Sequence, residues 1–379
     1  MPRRLRLVLA LVAALAAALA AGPAAARPSE GDLKIVAEGL SNPRGLDIGP
    51  RGEIYVAEAG RGGPGPDCIV GPEGEQQCAG STGAISRIHH GEVKRLLTGL
   101  PSLADPATGE GATGPHDVDL RRHSGGADFV VGLGANPAAR AGQLGELGPR
   151  FGWLYRVSRF GHVRPVADIA GYEASANPDG SEVPDSNPYS VLNRHGKSFV
   201  VDAGGNSLLR VGRRGRISTL AVFEPRLVPA PPGFPEPEVP MDAVPTSVVR
   251  GPDGALYVSQ LTGFPFPVGG ARIYRVEKGG EPEIYAEGFT NVTGLDFGPD
   301  GSLYVVEFAA NGILSGDPAG ALYRIKPGGS PELVVSEGLV APNGVAVDHK
   351  GDIYITNNSV SPDDGQVVKV KGPRRGHHH

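Results

Sequence analysis

Few side chains in this sequence are typed and spaced for chemistry, and the best of them recur at fixed places in a repeated unit. Glu58, Asp202, Glu307, Asn343 and Asn357 are oxygen donors beside apolar stretches, a set that suits a hard cation such as Ca²⁺. The competing reading is a hydrated polar channel in which they pair with Arg44 and with one another. His116, followed at once by Asp117, offers the best general base. A single histidine at such a place equally serves as a hydrogen-bonded structural residue. Other catalytic signatures are missing. There is no Gly-x-Ser-x-Gly elbow and no paired histidine spacing for zinc. Gly196-Lys197-Ser198 is not a phosphate loop, because Val191 stands where its first glycine belongs. Asp253, Asp300 and Asp364 precede glycines in hairpin turns and lack the alternating carboxylates of a calcium loop.

The elements that must position these residues come in six copies. Gly45-Leu46-Asp47-Ile48 followed by Gly52-Glu53-Ile54-Tyr55-Val56-Ala57-Glu58 returns as Gly294-Leu295-Asp296-Phe297 followed by Gly301-Ser302-Leu303-Tyr304-Val305-Val306-Glu307. Further copies begin at Gly344 and Ser247, and two degenerate ones at Asp117 and Ser190. Each reads as a short apolar strand, a glycine turn, and a strand of aromatic and β-branched residues. A third strand follows every pair and a fourth follows most, which describes an all-β fold, a six-bladed β-propeller. The last unit stops after its third strand, near Val370. An orphan fourth-type strand, Leu33 to Ala37, precedes the first and ends in Glu38-Gly39-Leu40, as outer strands end later in Glu287-Gly288-Phe289 and Glu337-Gly338-Leu339. The N-terminal strand should therefore complete the last blade and remove an exposed edge. Residues 27–371 form one domain on this reading, since neither half could close alone.

Composition agrees. With 58 glycines and 36 prolines in 379 residues, no stretch after the first thirty can sustain a long helix. A net charge of −5 provides no basic footprint for nucleic acid. Residues 1–26 carry three arginines, an Ala/Leu run and a small-residue cleavage site, the pattern of a secretory signal peptide. No later segment is apolar enough to span a bilayer, so a secreted protein, expected to be a monomer, is indicated. Cys68 and Cys78 suit that compartment and should pair; a two-thiolate metal site is the alternative, but their loop holds no histidine. Residues 372–379 read as a disordered tail.

In such a ring two sets of residues line the channel mouth. Arg44, His116, Tyr189, Thr246, Thr293 and Asn343 lead into the inner strands; Glu58, Gly132, Asp202, Gln260, Glu307 and Asn357 end the second strands. Nearly all are polar in front of apolar strands, as a ligand site requires. Long connections gather on the same face, among them a Pro-rich run from Pro225 to Pro245 that reads as a stiff loop over the mouth. Phe264 and Phe266, set between prolines, offer aromatic contacts to a ligand or pack their own loop. Arg44, His116, Tyr189, Gln260, Phe264 and Phe266 are the expected ligand contacts.

Gly114-Pro115-His116-Asp117-Val118, Gly132-Leu133-Gly134-Ala135-Asn136-Pro137-Ala138, Val183-Pro184-Asp185-Ser186-Asn187-Pro188-Tyr189, Val201-Asp202-Ala203-Gly204-Gly205-Asn206 and Leu261-Thr262-Gly263-Phe264-Pro265-Phe266-Pro267 together resemble the ScyD/ScyE family, from about residue 33 to 371. That resemblance implies an exported protein and supplies no catalytic residues. The repeat also resembles NHL and gluconolactonase-type propellers. In the latter, Glu, Asn and Asp at the channel mouth hold a cation, and Glu58, Asn343 and Asp202 match that set only loosely, with Arg44 and Gly132 interrupting it. Binding of a small molecule or of an extracellular protein or cell-wall ligand is the leading expectation; a Ca²⁺-dependent lactonase or esterase-like hydrolase is the alternative.

Overall fold

The computed structural model describes residues 33–71, 74–122 and 124–372. The signal-peptide pattern at 1–26 and residues 373–379 of the tail lie outside the described residues. Six antiparallel sheets follow one another along the chain. Blade 1 is built from Pro43–Ile48, Ile54–Glu58, Gln76–His89 and Glu92–Ala104, with Cys68–Val70 added at an edge. Blades 2 to 5 begin at Pro115–Leu120, Pro188–Arg194, Pro245–Arg250 and Val292–Phe297, and each holds four strands. Blade 6 takes Val345–Val347, Ile353–Asn357 and Gly365–Val370 from the C-terminal end of the chain and Lys34–Leu40 from the N-terminal end. Lys34 pairs with Lys369 and Leu40 with Gly365, so the ring closes as the repeat predicts.

The apolar patterning explains why blades stack. Second strands such as Ala127–Val131 and Leu303–Glu307 are buried along their whole length, because each faces a neighbouring blade on both sides. Buried side chains accordingly form a separate cluster at each of the six blade interfaces. The closing one joins Leu40, Ala346 and Val367 of blade 6 to Leu46, Ile54 and Val56 of blade 1.

Polar side chains tie the inner strands together nearer the axis. Asp47 accepts from Leu120 N at 2.9 Å, Asp117 from Val191 N at 2.9 Å, and Ser190 from Val248 N at 3.4 Å. Ser247 accepts from Leu295 N at 3.2 Å and Asp296 from Val347 N at 2.8 Å, while Thr356 Oγ1 donates to Arg44 O at 2.7 Å. Every blade thus reaches the next, and the circle ends where it began.

Two segments differ from the sequence expectation. The third and fourth strands of blade 1 run on for 14 and 13 residues, so part of the expected loop between Ala59 and Gly83 is sheet. Cys68 and Cys78 face each other across this extension and are disulfide-bonded. The Pro-rich run holds a hairpin, Arg226–Pro229 with Glu238–Met241, because alternate residues still offer backbone groups for pairing. No helix among the described residues is long and apolar enough to cross a membrane.

Candidate functional site

A repeated irregularity builds the mouth. In blades 1 to 5 the ladder between first and second strands slips near its beginning, after Pro43, Pro115, Pro188, Pro245 and Val292. The residues passed over include Arg44, His116, Tyr189, Thr246 and Thr293. A bulge leaves one residue unpaired and re-aims its side chain, which frees these five to leave the sheet register.

Four of the mouth side chains come together from four blades. Asn343 Nδ2 donates to the Tyr189 hydroxyl at 2.6 Å, a bond between blade 6 and blade 3, which lie opposite each other in the ring. The Tyr189 and His116 rings stand 4.7 Å apart. His116 Nδ1 lies 3.3 Å from Pro188 O, and since a carbonyl only accepts, Nδ1 carries the proton and Nε2 the lone pair. Burial, reinforced by the nearby Arg44 charge, pushes the His116 pKa down to about 3, so the ring is neutral. Arg44 is 8% exposed and donates from Nη2 to Ala112 O at 2.6 Å; its Nε has no partner. Burial lowers its pKa, yet a guanidinium stays charged. It has no carboxylate partner among the described residues. Asn343 Oδ1 is likewise buried without a partner.

A cavity of about 140 Å³ lies along the channel, bounded at this end by His116, Tyr189, Thr246, Thr293 and Asn343 and at the other by Arg122, Arg194 and Arg250. The cavity wall at this end therefore offers a phenol, a neutral imidazole and an amide, with the Arg44 charge beside His116 but outside the lining.

The second predicted set is arranged differently. Glu58 accepts from Ser41 N, Asp202 from Asn187 N, Glu307 from Thr290 N and Asn357 from Val340 N, each at 2.5–2.7 Å. Each thus caps the lead-in loop of its own blade. Glu58 is also held by Ser86 Oγ and, at 2.7 Å, by Arg95. Burial pushes Asp202 to about 6 and Glu307 to about 7. Among the described residues no three His, Cys, Asp or Glu side chains gather where they could hold a metal. Of the donors proposed for an axial Ca²⁺, Glu58, Asp202, Glu307 and Asn357 each give an oxygen to a backbone N–H of their own blade. Asn343 alone of that set belongs to the axial cluster.

Other expected contacts are also local. Gln260 is buried and accepts from Arg272 N of its own blade at 3.0 Å. Phe264 packs on Phe234 of the Pro-rich hairpin, 5.5 Å between rings, and on Phe266 at 6.5 Å. This aromatic group ties two loops of blade 4 together, and Phe264 remains 39% exposed. Asp117 stitches blade 2 to blade 3 through Ser190 and Val191, so it does not orient His116. Burial pushes its pKa to about 6.

No family profile matches the chain, and no curated protein matches it. Solved structures do. A gluconolactonase-like protein is 13% identical over 91% of this chain and 94% of its own, with a TM-score of 0.50. A glucose-dehydrogenase-like protein of Thermus thermophilus is 17% identical over 90% of this chain and 99% of its own, at 0.52. The aldose sugar dehydrogenase of Streptomyces coelicolor, solved with PQQ bound, is 13% identical over 91% and 100%, at 0.51. The likeness is one of fold.

Proposed function

We propose that this chain is an exported propeller of the ScyD/ScyE type that binds a small hydroxyl-bearing organic acid at the long-loop mouth of its channel. The observation that carries the reading is Arg44, a buried cation with no counter-ion among the described residues, set among His116, Tyr189 and Asn343. Burying an unpaired charge is costly, and a ligand carboxylate against Nε would offset that cost. Asn343 Oδ1 and His116 Nε2 are acceptors positioned for a ligand hydroxyl. Export is supported by the leader pattern, and the disulfide is compatible with it.

Calorimetric titration with a panel of hydroxy acids and sugar acids, each paired with its neutral amide, tests this reading. Acids should bind, amides should not, and Arg44→Met should abolish binding. Equal binding of acid and amide, or no binding across the panel, would defeat it. A second reading, a lactonase or esterase-like hydrolase, rests on the free Nε2 lone pair of His116 at the mouth; a hydroxy acid is what opening a lactone yields. Turnover of a lactone panel that disappears in His116→Gln would support it, and absence of turnover would leave binding alone.

A further inference from the structure

Away from the axial cluster, acidic side chains collect where the chain enters and leaves blade 3. Glu173 sits on the short helix Ile169–Ala176, Asp179 and Asp185 in the loop that follows, and Asp202 at the end of Lys197–Asp202. They lie close enough to repel one another, with Asp242 at the margin, and no basic side chain among the described residues faces them. Asp202 is already satisfied, by Ser186 Oγ at 2.7 Å, Asn187 N at 2.5 Å and Gly205 N at 3.3 Å. Asp179 is held by Ser181 N at 3.1 Å and Asn206 Nδ2 at 3.0 Å.

Glu173 is not satisfied, and Asp185 only in part, with the Ser186 N–H holding one side of its carboxylate. Glu173 is 1% exposed and neither of its carboxylate oxygens has a partner. Asp185 Oδ1 is also buried without one. Two adjacent glycines form the floor beneath them. A Cβ on Gly205 would stand 2.9 Å from Glu173 Cδ, and one on Gly204 would stand 2.9 Å from Asp185 Cγ. Only residues without side chains leave room for both carboxyl groups there. A buried carboxylate lacking hydrogen bond and counter-ion is strongly disfavoured, more so among like charges. A proton on Glu173 would relieve that group alone and leave Asp185 Oδ1 unpartnered. One divalent cation would answer both.

We propose that Glu173 and Asp185 ligate a Ca²⁺ ion that ties the helix and the loop after it to blade 3. No point among the described residues is within reach of three acidic side chains. The ion therefore takes these two carboxylates directly and completes its shell from backbone carbonyls and water, as a cation accepting six to eight oxygens in flexible geometry does. Asp179 and Asp202 contribute charge without ligating. The donor set is all oxygen, which selects a hard ion over zinc or copper.

The test uses the whole protein treated with EGTA, then titrated with CaCl₂ or MgCl₂ while melting and heat of binding are followed. At a Ca²⁺ concentration roughly 100-fold above Kd the melting temperature should rise by about 4 °C, with a smaller effect of Mg²⁺. Glu173→Gln and Asp185→Asn should each abolish the rise and the binding heat, whereas Glu307→Gln, a buried acid of blade 5, should keep both. Glu173→Gln should melt no lower than the EGTA-treated wild type, because it removes a repelled charge. If it does not fold, Asp185→Asn and the wild-type titration decide. The proposal is overturned if Ca²⁺ leaves the wild type unchanged by both measures, or if the rise survives in either variant.

Discussion

Arg44→Met should stabilise the protein when no ligand is present, an unusual sign for the loss of a buried arginine. Methionine keeps the length and apolar stem while removing the charge. Two terms oppose each other. Arg44 gives up one charged hydrogen bond, Nη2 to Ala112 O at 2.6 Å, worth about 1.5–3 kcal/mol. Against this, the variant escapes the desolvation penalty of a buried ion, which is several kcal/mol after relaxation, and no carboxylate among the described residues offsets it. The balance favours the variant by about 1–2 kcal/mol. Urea unfolding followed by fluorescence should show a midpoint raised by about 0.5 M at unchanged slope. Tyr189→Phe is the matched control. It removes the partner of Asn343 Nδ2 but no charge, and should lower stability by about 1 kcal/mol. Addition of a binding acid should reverse the order, since only the wild type gains from it. A loss of more than about 2 kcal/mol in ligand-free Arg44→Met would refute the reasoning, because Arg44 would then be satisfied within the protein.

Three other outcomes follow from the same physics. Asp128 is fully buried and receives Arg156 Nε at 2.6 Å and Nη2 at 2.8 Å as well as Ser198 Oγ of blade 3 at 2.7 Å; Asp128→Ala should cost about 3–5 kcal/mol in urea unfolding. Arg121, at 3.4 Å from the same carboxylate, should cost under about 1 kcal/mol when replaced by alanine. Burial raises Asp117 to about 6 and Asp296 to about 7, so the folded state holds protons more tightly than the unfolded chain. Stability should then be full below the ordinary carboxylate range and fall as pH climbs from about 4 through about 7. Melting temperatures measured at pH 5 and pH 8 should differ in that direction, Asp296→Asn should flatten the slope, and an opposite slope would contradict the assignment.

The ring was legible because its signals are local and recur. Pro252-Asp253-Gly254 and Pro299-Asp300-Gly301 announce hairpins, and the shared outer-strand ending at Glu38-Gly39-Leu40 marks Lys34–Leu40 as the missing strand of blade 6. Direction at the mouth was harder. Glu58 and Arg44 both lie at the long-loop end of blade 1, yet Glu58 turns to Ser41 N while Arg44, passed over by the ladder, joins the axial cluster. A slip of one residue decides which way a strand side chain points, and nothing in the composition around Arg44 announces the slip. Phe264 illustrates the same limit, since its partner Phe234 is carried by a hairpin hidden in proline-rich sequence. Glu173 and Asp185 were missed outright. Each lies against one of two adjacent glycines, Gly205 and Gly204, reached through an irregular loop with no period in the sequence to announce it. The recurring aspartates at Asp47, Asp117 and Asp296 had a visible signal, an acid inside an apolar inner strand, and the structure explains it as the stitching between blades.

The most direct measurement is the anomalous difference density of a crystal grown with a bromine-labelled hydroxy acid. A single strong bromine peak in the channel mouth, with the acid's carboxylate against Arg44 Nε and its hydroxyl at Asn343 Oδ1, is the predicted result. Bromine found only on the outer loops or at the arginine-lined end of the channel, or no peak at a saturating concentration, would contradict it.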